Sequence, residues 1–406
     1  VVPNSLTRYY VDVDATSGNN TGFSWENAFT DLQSALASTC PDITEIWVAE
    51  GTYKPSAYPA GCTGCATNRD FTFQLKDGIS LYGGFAGTET MLSQRDIAAN
   101  PTILSGDIGT VGNAFDNVRH VVLAVFASTT PTTRLDGFTI TGGNADVSSN
   151  ITVNGANINH YYGGGIYTAS STTTLTNNSL SGNSAGGGGG IYTDGGTVTL
   201  TNNIIWGNNS GIEIDGSTLD VTYSIVEGGF TGEGNMDVDP QFVDQPAVGL
   251  GTSGDLRLQA CSPAMNVGND NGVPMDVTTD LDGNARIFDG TVDMGAYELQ
   301  VVPNSLTRYY VDVDATSGNN TGLSWADAFT DLQSALASTC PDITEIWVAE
   351  GTYKPSAYPT GCTDCATDRD FTFQLKDGIS LYGGFAGTET MLSQRDIAAN
   401  PTILSG

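Results

Sequence analysis

Two residue groupings in this chain have spacings that could do chemistry. In the first, hard oxygen donors sit two residues apart: Asp12 with Asp14, Asp237 with Asp239, and Asp280, Asp282 and Asn284, with Gly283 supplying a turn. Alternate carboxylates on a tight loop suit Ca2+, which gathers roughly six to eight oxygen ligands. None of the three completes an EF-hand, because the glutamate at its final position is missing. Aspartates at turns also bond their own backbone, so turn formation is the competing reading. No cofactor is required on this reading, and calcium is the candidate ion.

The second grouping is the C-x-x-C of Cys62 and Cys65, which returns as Cys362 and Cys365. Zinc would ask for a further C-x-x-C or a histidine pair, and dithiol redox chemistry for a strand-and-helix setting; neither accompanies it. A local disulfide in each loop is the expectation. Cys261 then stands ready to pair with Cys340 across the repeat boundary, leaving Cys40 for a preceding unit. Acid–base catalysis has little to work with: His120 opens an apolar strand, His160 lies in an Asn-rich loop, and Arg119, Arg134 and Arg257 show no recurring acidic partners. Tyr161, Tyr162, Tyr167 and Tyr192 gather near glycine-rich corners, where aromatic faces either stack on sugars or pack inward.

The elements that must position these residues follow from repetition, which bounds the architecture before any local reading. Residues 1–106 return at 301–406 with six changes, Phe23 to Leu323, Glu26 to Ala326, Asn27 to Asp327, Ala60 to Thr360, Gly64 to Asp364 and Asn68 to Asp368. Near-identity of that kind fits units performing one mechanical job in series. Gly406 corresponds to Gly106, where the first copy runs on through Asp107 without a turn signal, so the chain is expected to be a window onto a longer array.

A shorter period lies inside the unit. Gly164-Gly165-Ile166-Tyr167-Thr168 returns as Gly189-Gly190-Ile191-Tyr192-Thr193, and Leu175-Thr176-Asn177-Asn178 as Leu200-Thr201-Asn202-Asn203. Strands this short cannot bury a face alone, so the economical solution stacks them turn on turn in a parallel β-helix. The stack predicts inward rows of Ile166 over Ile191, Leu175 over Leu200 and Leu180 over Ile205. Asn178 and Asn203 are expected to take left-handed backbone at the corners and to bond along the stack. Ahead of the coil, Ala28, Phe29, Leu32, Ala35 and Leu36 make an apolar stripe at helical spacing, predicting a capping helix over 24–38 with Ser24 as N-cap. The strand Glu45 to Val48 then starts the stack. The organisation expected is a complete unit over 1–300, with coil over 43–260 and a closing segment over 261–299, followed by the first third of a second unit over 301–406.

At this point the residues resemble a known family. Thr52-Tyr53-Lys54-Pro55, the run Leu81 to Thr90, the paired Gly-Gly-Ile-Tyr motifs, Thr279 to Asn284 and Val292 to Glu298 look like bacterial secreted right-handed β-helix repeat proteins. These are similar to polymorphic outer-membrane proteins and to choice-of-anchor surface proteins of Bacteroidota. The resemblance implies an all-β, right-handed parallel β-helix and a large surface or secreted protein, frequently an adhesin, with giant extracellular appendages of gliding marine bacteria among the relatives. The Cys62 and Cys65 loop is missing from most family versions.

Composition bounds the partners. With 45 acidic against 14 basic residues and a net charge of -31, the chain cannot neutralise phosphates, which excludes a nucleic-acid binder. No stretch is long and apolar enough to span a bilayer. The expectation is therefore an extracellular structural or adhesive filament protein that associates with itself, with cell-surface glycans or a host or prey surface as further partners. A glycan-binding module and a β-helix polysaccharide lyase or hydrolase are the alternatives. The changes at 60, 64 and 68 surround the cysteine loop, so residues 56–69 are expected to project to solvent and to form a lateral contact.

Overall fold

The computed structural model describes residues 7–38, 40–95, 100–125, 133–249, 254–259, 262–273, 286–288, 290–299, 307–316, 320–337, 343–359 and 361–406. The chain divides into two compact units, one of Val1–Leu258 with Pro263–Gln300 and one of Gln259–Ser262 with Val301–Gly406.

Short strands fall on two parallel sheets because each circuit of the chain supplies one strand to each. The larger sheet runs Arg8–Val11, Glu45–Ala49, Ser80–Phe85, Thr133–Asp136, Ile166–Thr176, Ile191–Thr201 and Ile212–Asp215. The second runs Gly51–Tyr53, Thr102–Ser105, Thr139–Thr141, Ser179–Leu180, Ile204–Ile205 and Ile225–Val226. Ile166 pairs with Ile191, Leu175 with Leu200 and Leu180 with Ile205, all fully buried. The rows read from the 25-residue recurrence are therefore the core. A slip of one residue would send every row to the opposite face, so burial pins the register.

The corners divide two tasks that the sequence reading assigned to one residue. Left-handed backbone falls on Asn177 (φ 54°) and Asn202 (φ 56°), not on Asn178 and Asn203. Asn178 and Asn203 form the ladder: Asn178 donates from Nδ2 to Asn203 Oδ1 at 3.1 Å and to the Leu135 carbonyl at 2.9 Å, and Asn203 Oδ1 also accepts the Asn178 N–H at 3.0 Å. Asn183 and Asn208 repeat this pattern at the next corner. The turn residues also touch along the stack, Asn202 Nδ2 donating to Asn177 Oδ1 at 3.4 Å, but the shorter and more numerous ladder bonds fall on the residue after the turn.

Before the coil, the expected long helix is broken. Ser24 does cap, accepting from the Asn27 N–H, but only over the 3-10 turn Trp25–Asn27. Phe29 then exchanges backbone hydrogen bonds with Tyr10 and Asp12, at 2.9 and 2.8 Å, which demands extended chain. The α-helix is Leu32–Ala37, capped by Asp31, with Leu32, Ala35 and Leu36 buried. It packs against strands Arg8–Val11 and Phe73–Gln74. Phe29 belongs to the apolar stripe, yet pairing with the first strand of the sheet outweighs its helical spacing. That first strand, Arg8–Val11, also places the start of the stack before Glu45.

The parallel ladder ends at Ile225–Val226, extended by a single bridge to Met236, earlier than the expected limit at 260. Phe242–Asp244 and Asp255–Leu258 pair antiparallel. In the closing segment Arg286 is fully buried, donating to Glu298 at 3.1 Å, to Asn177 Oδ1 at 3.0 Å and to the Gly295 carbonyl at 2.8 Å. Arg286, held by Glu298, thus ties the closing segment to a corner of the coil.

The second unit repeats the first rungs, with Arg308–Val311, Glu345–Ala349 and Ser380–Phe385 in one parallel sheet and Gly351–Tyr353 with Thr402–Leu404 in another. Leu375 is 67% exposed where Leu75 of the first unit is 1% exposed. The difference arises because, in the first unit, Val122–Val125 lies beside Phe73–Gln74 and covers that side.

Candidate functional site: the disulfide loop and the histidines beneath it

The residues with chemical potential converge on the loop around Cys62. The disulfides Cys62–Cys65 and Cys362–Cys365 are both formed, with Cα atoms 6.1 and 5.8 Å apart. Cys40 is a free, half-buried thiol, and Cys261 and Cys340 lie outside the described residues. The loop does not simply project. Cys62–Thr63 pairs antiparallel with Asn150–Val153, which turns through Asn154 and Gly155, both at positive φ, into Ala156–Asn159. Both half-cystines pack on a cluster containing Leu123, Ile151, Val153, Ile158 and Tyr167. Ala60, Gly64 and Asn68, the positions that differ between the repeats, remain exposed on the outer side. The projecting-loop expectation is thus corrected: one side is docked because the disulfide and its neighbours present apolar surface to the hairpin.

At the base of the loop Asp70 acts as an anchor. Its Oδ2 accepts the backbone N–H groups of Ala66 and Thr67, each at 2.9 Å, while Oδ1 meets the Arg119 guanidinium. Burial alone would raise this carboxyl, but the two N–H groups and Arg119 outweigh it and hold it below the ordinary range. His160 Nε2 lies 3.4 Å from Asp70 Oδ1, and its ring centroid is 5.8 Å from that of His120. The histidines that look isolated in sequence are therefore neighbours. His120 is edge-on to Tyr167 and bonds the Gly163 carbonyl through Nδ1 at 2.9 Å, while His160 Nδ1 meets Ser149 Oγ at 3.0 Å.

Burial lowers both imidazoles, His120 to about 3 and His160 to about 4, with Arg119 opposing a second positive charge at each. Both rings are neutral at pH 7, so His120 Nδ1 is the donor to Gly163. Both are also enclosed. A general acid or base must reach a substrate proton, and these groups instead join the loop to the segment that leads into the strand Val122–Val125. Arg69 reinforces the clamp through Asp146 at 2.7 Å and the Asn144 and Asn117 carbonyls, each at 2.8 Å. Each of the three arginines meets a single acid: Arg119 with Asp70, Arg134 with Asp136, and Arg257 with Asp255.

The calcium candidates are scattered. Asp12 Oδ1 accepts the Asp14 N–H at 2.9 Å, Asp237 Oδ1 the Gly228 N–H at 3.1 Å and Asp239 Oδ1 the Gln241 N–H at 2.8 Å. The first and third close local turns, whereas Asp237 reaches back to a backbone N–H outside its own turn. Among the described residues no group of three or more His, Cys, Asp or Glu is disposed to hold a metal ion, and Asp280, Asp282 and Asn284 lie outside them. The tyrosines divide: Tyr167 and Tyr192 are buried, with Tyr162 stacked on Tyr192 at 4.6 Å, and only Tyr161 presents a substantially exposed ring. Tyr167 and Tyr192 thus have no face free for a sugar, because each pairs along the row with its counterpart one rung away.

Comparison with known proteins agrees with this geometry. Residues 125–234 match the protein-family model described as a right-handed β-helix region. The chain therefore contains a right-handed parallel β-helix, and the matched span covers the most regular rungs. No curated protein and no solved structure matches the chain. No helix among the described residues is long and apolar enough to cross a membrane.

Proposed function

We propose that this chain is part of an extracellular structural or adhesive protein in which near-identical β-helix units stand in series to build a filament or surface appendage. The observation that carries the reading is the coincidence of two periodicities. Inside the unit, buried rows and asparagine ladders run from rung to rung at 25 residues. Along the chain, the first rungs return almost unchanged. Of the six positions that differ between copies, all but Asn27 are exposed in the first unit, so change is confined to the surface while the rows are kept. Two local disulfides suit an oxidising compartment. The resemblance to bacterial surface proteins of Bacteroidota points the same way, with self-association and attachment to a surface as the work done.

The enzymatic alternative draws no support from His120 and His160, whose rings are enclosed. Electron microscopy of arrays of one, two and three units tests the structural reading. Rods that lengthen by a constant step per unit are expected, and separate globules on slack tethers would overturn it.

A further inference from the structure

Each unit carries a pocket between its short helix and its disulfide loop. In the first unit its volume is about 370 Å3, with Leu36, Leu75 and Val125 as apolar wall and Gln33, Tyr58 and Lys76 among the polar groups. The second unit has its own, about 440 Å3, with Gln333, Leu336, Tyr358 and Lys376 in the same places. Such volumes lie in the range of small-molecule sites, where an apolar lining with a few fixed polar groups sets specificity.

The polar groups are left with bonding capacity. Gln33 donates weakly from Nε2 to the Thr72 carbonyl at 3.4 Å, but its Oε1 is buried without a hydrogen-bond partner, and Gln333 Oε1 is in the same condition. Gln74 accepts the Ala60 N–H at 2.6 Å through Oε1, which leaves its amide hydrogens as donors. Lys76 donates one N–H to the Ser38 carbonyl, and an ammonium has three to give. Tyr58 is 41% exposed, and its ring is held edge-on to Phe71 at 4.9 Å. Tyr358 and Phe371 repeat that arrangement at 4.9 Å.

An exposed aromatic face beside amide donors and acceptors matches a ligand with one apolar face and a rim of hydroxyls. Charge narrows the class. Lys76 and Asp77 both line the pocket and cancel locally, while the net charge of -31 repels polyanions. We propose that this pocket is a subsite for a neutral sugar residue, its ring face lying on Tyr58 while its hydroxyls donate to Gln33 Oε1 and accept from Lys76 Nζ and Gln74 Nε2. The site differs from the tyrosine group at 161–192, and it occurs once per unit, so an array would present it many times and gain by avidity. The inference stands apart from the filament reading, since it concerns binding by a single unit.

The test is saturation-transfer NMR and calorimetry on the full chain with the methyl glycosides of glucose, galactose, mannose and N-acetylglucosamine, with galacturonate as the anionic control. At least one neutral glycoside is expected to saturate with a Kd on the order of 1 mM, as befits one sugar ring. Tyr58→Ala combined with Tyr358→Ala should weaken it tenfold or more, and the corresponding pair of Phe substitutions should keep it. Gln33→Ala with Gln333→Ala should weaken it severalfold, which decides the matter if the tyrosine-to-alanine protein does not fold. Failure of all four glycosides to saturate, binding of galacturonate alone, or affinity that survives loss of both rings or both amides would overturn the proposal. None of these results bears on rod formation by arrays.

Discussion

Asn203 shows what a single buried amide does in this coil. It accepts from Asn178 on the neighbouring rung and donates to the Leu175 and Thr201 carbonyls, at 2.9 and 3.1 Å, with no access to water. Removing it takes the acceptor from the Asn178 N–H and amide and one donor from the Leu175 carbonyl in a dry interior, while the Thr201 carbonyl keeps the Asn177 N–H; an unmade buried hydrogen bond costs about 1–3 kcal/mol. Asn203→Ala is expected to destabilise the unit by at least that amount in urea titrations, whereas an exposed substitution such as Asn68→Asp, already present in the second copy, should be nearly neutral. The histidines make a second prediction at this scale. Folding depresses both imidazoles from an ordinary 6.5 to about 3 and about 4, so the unfolded chain takes up protons that the folded one refuses. Their contribution is complete above pH 6.5 and is lost as pH falls from there toward 4. Asp70, held low, loses its own contribution only in more acid solution, below the ordinary carboxylate value of 3.8. His120→Gln with His160→Gln should therefore flatten the fall in stability between pH 6.5 and 4, measured by urea midpoints at several pH values; an unchanged slope would refute the assignment.

The helix and the cysteine loop show how an element's environment overrides its local preferences. The stripe from Ala28 to Leu36 was legible as helix, but Phe29 is drawn into the sheet by Tyr10 and Asp12, and only the part after Asp31 coils. Sequence spacing carries no information about a partner strand elsewhere in the chain. The loop was legible as a disulfide loop from its C-x-x-C and its repetition, while its docking on the hairpin at 150–159 was not, because antiparallel pairing across about ninety residues leaves no local pattern. The disulfide closes a ring of only a few residues, which limits its stabilisation to roughly 2 kcal/mol. Cys62→Ser with Cys65→Ser should accordingly lower the melting temperature of the first unit by a few degrees and speed proteolysis within 56–69, with the β-sheet circular dichroism signal intact. Loss of the whole sheet signal would mean that the loop nucleates the fold.

For the whole molecule, charge sets a constraint that no single contact relieves. Among the described residues the basic side chains are largely engaged in ion pairs, as Arg95 with Asp136, Arg69 with Asp146 and Arg286 with Glu298, so most of the excess acid faces solvent unpaired. At an ionic strength of about 10 mM the Debye length is about 30 Å and this repulsion acts between distant side chains; near 150 mM it shrinks to about 8 Å. Melting temperature should rise over that interval in NaCl, with similar rises in KCl, since screening and not a specific ion is responsible. A rise confined to calcium salts would instead point to the 280–284 segment.

The sequence by itself determined the periodic part of this protein: the coil, its inward rows at 25-residue spacing and the local disulfides. Each follows from information repeated along the chain, where burial and ladder pairing act on near neighbours in the stack. Tertiary structure alone decided that Asp70, Arg119, His120 and His160 meet beneath the loop, and that Gln33, Tyr58 and Lys76 face one pocket. Those residues come from different circuits of the coil and occur without a period, so nothing but the winding of the chain brings them together.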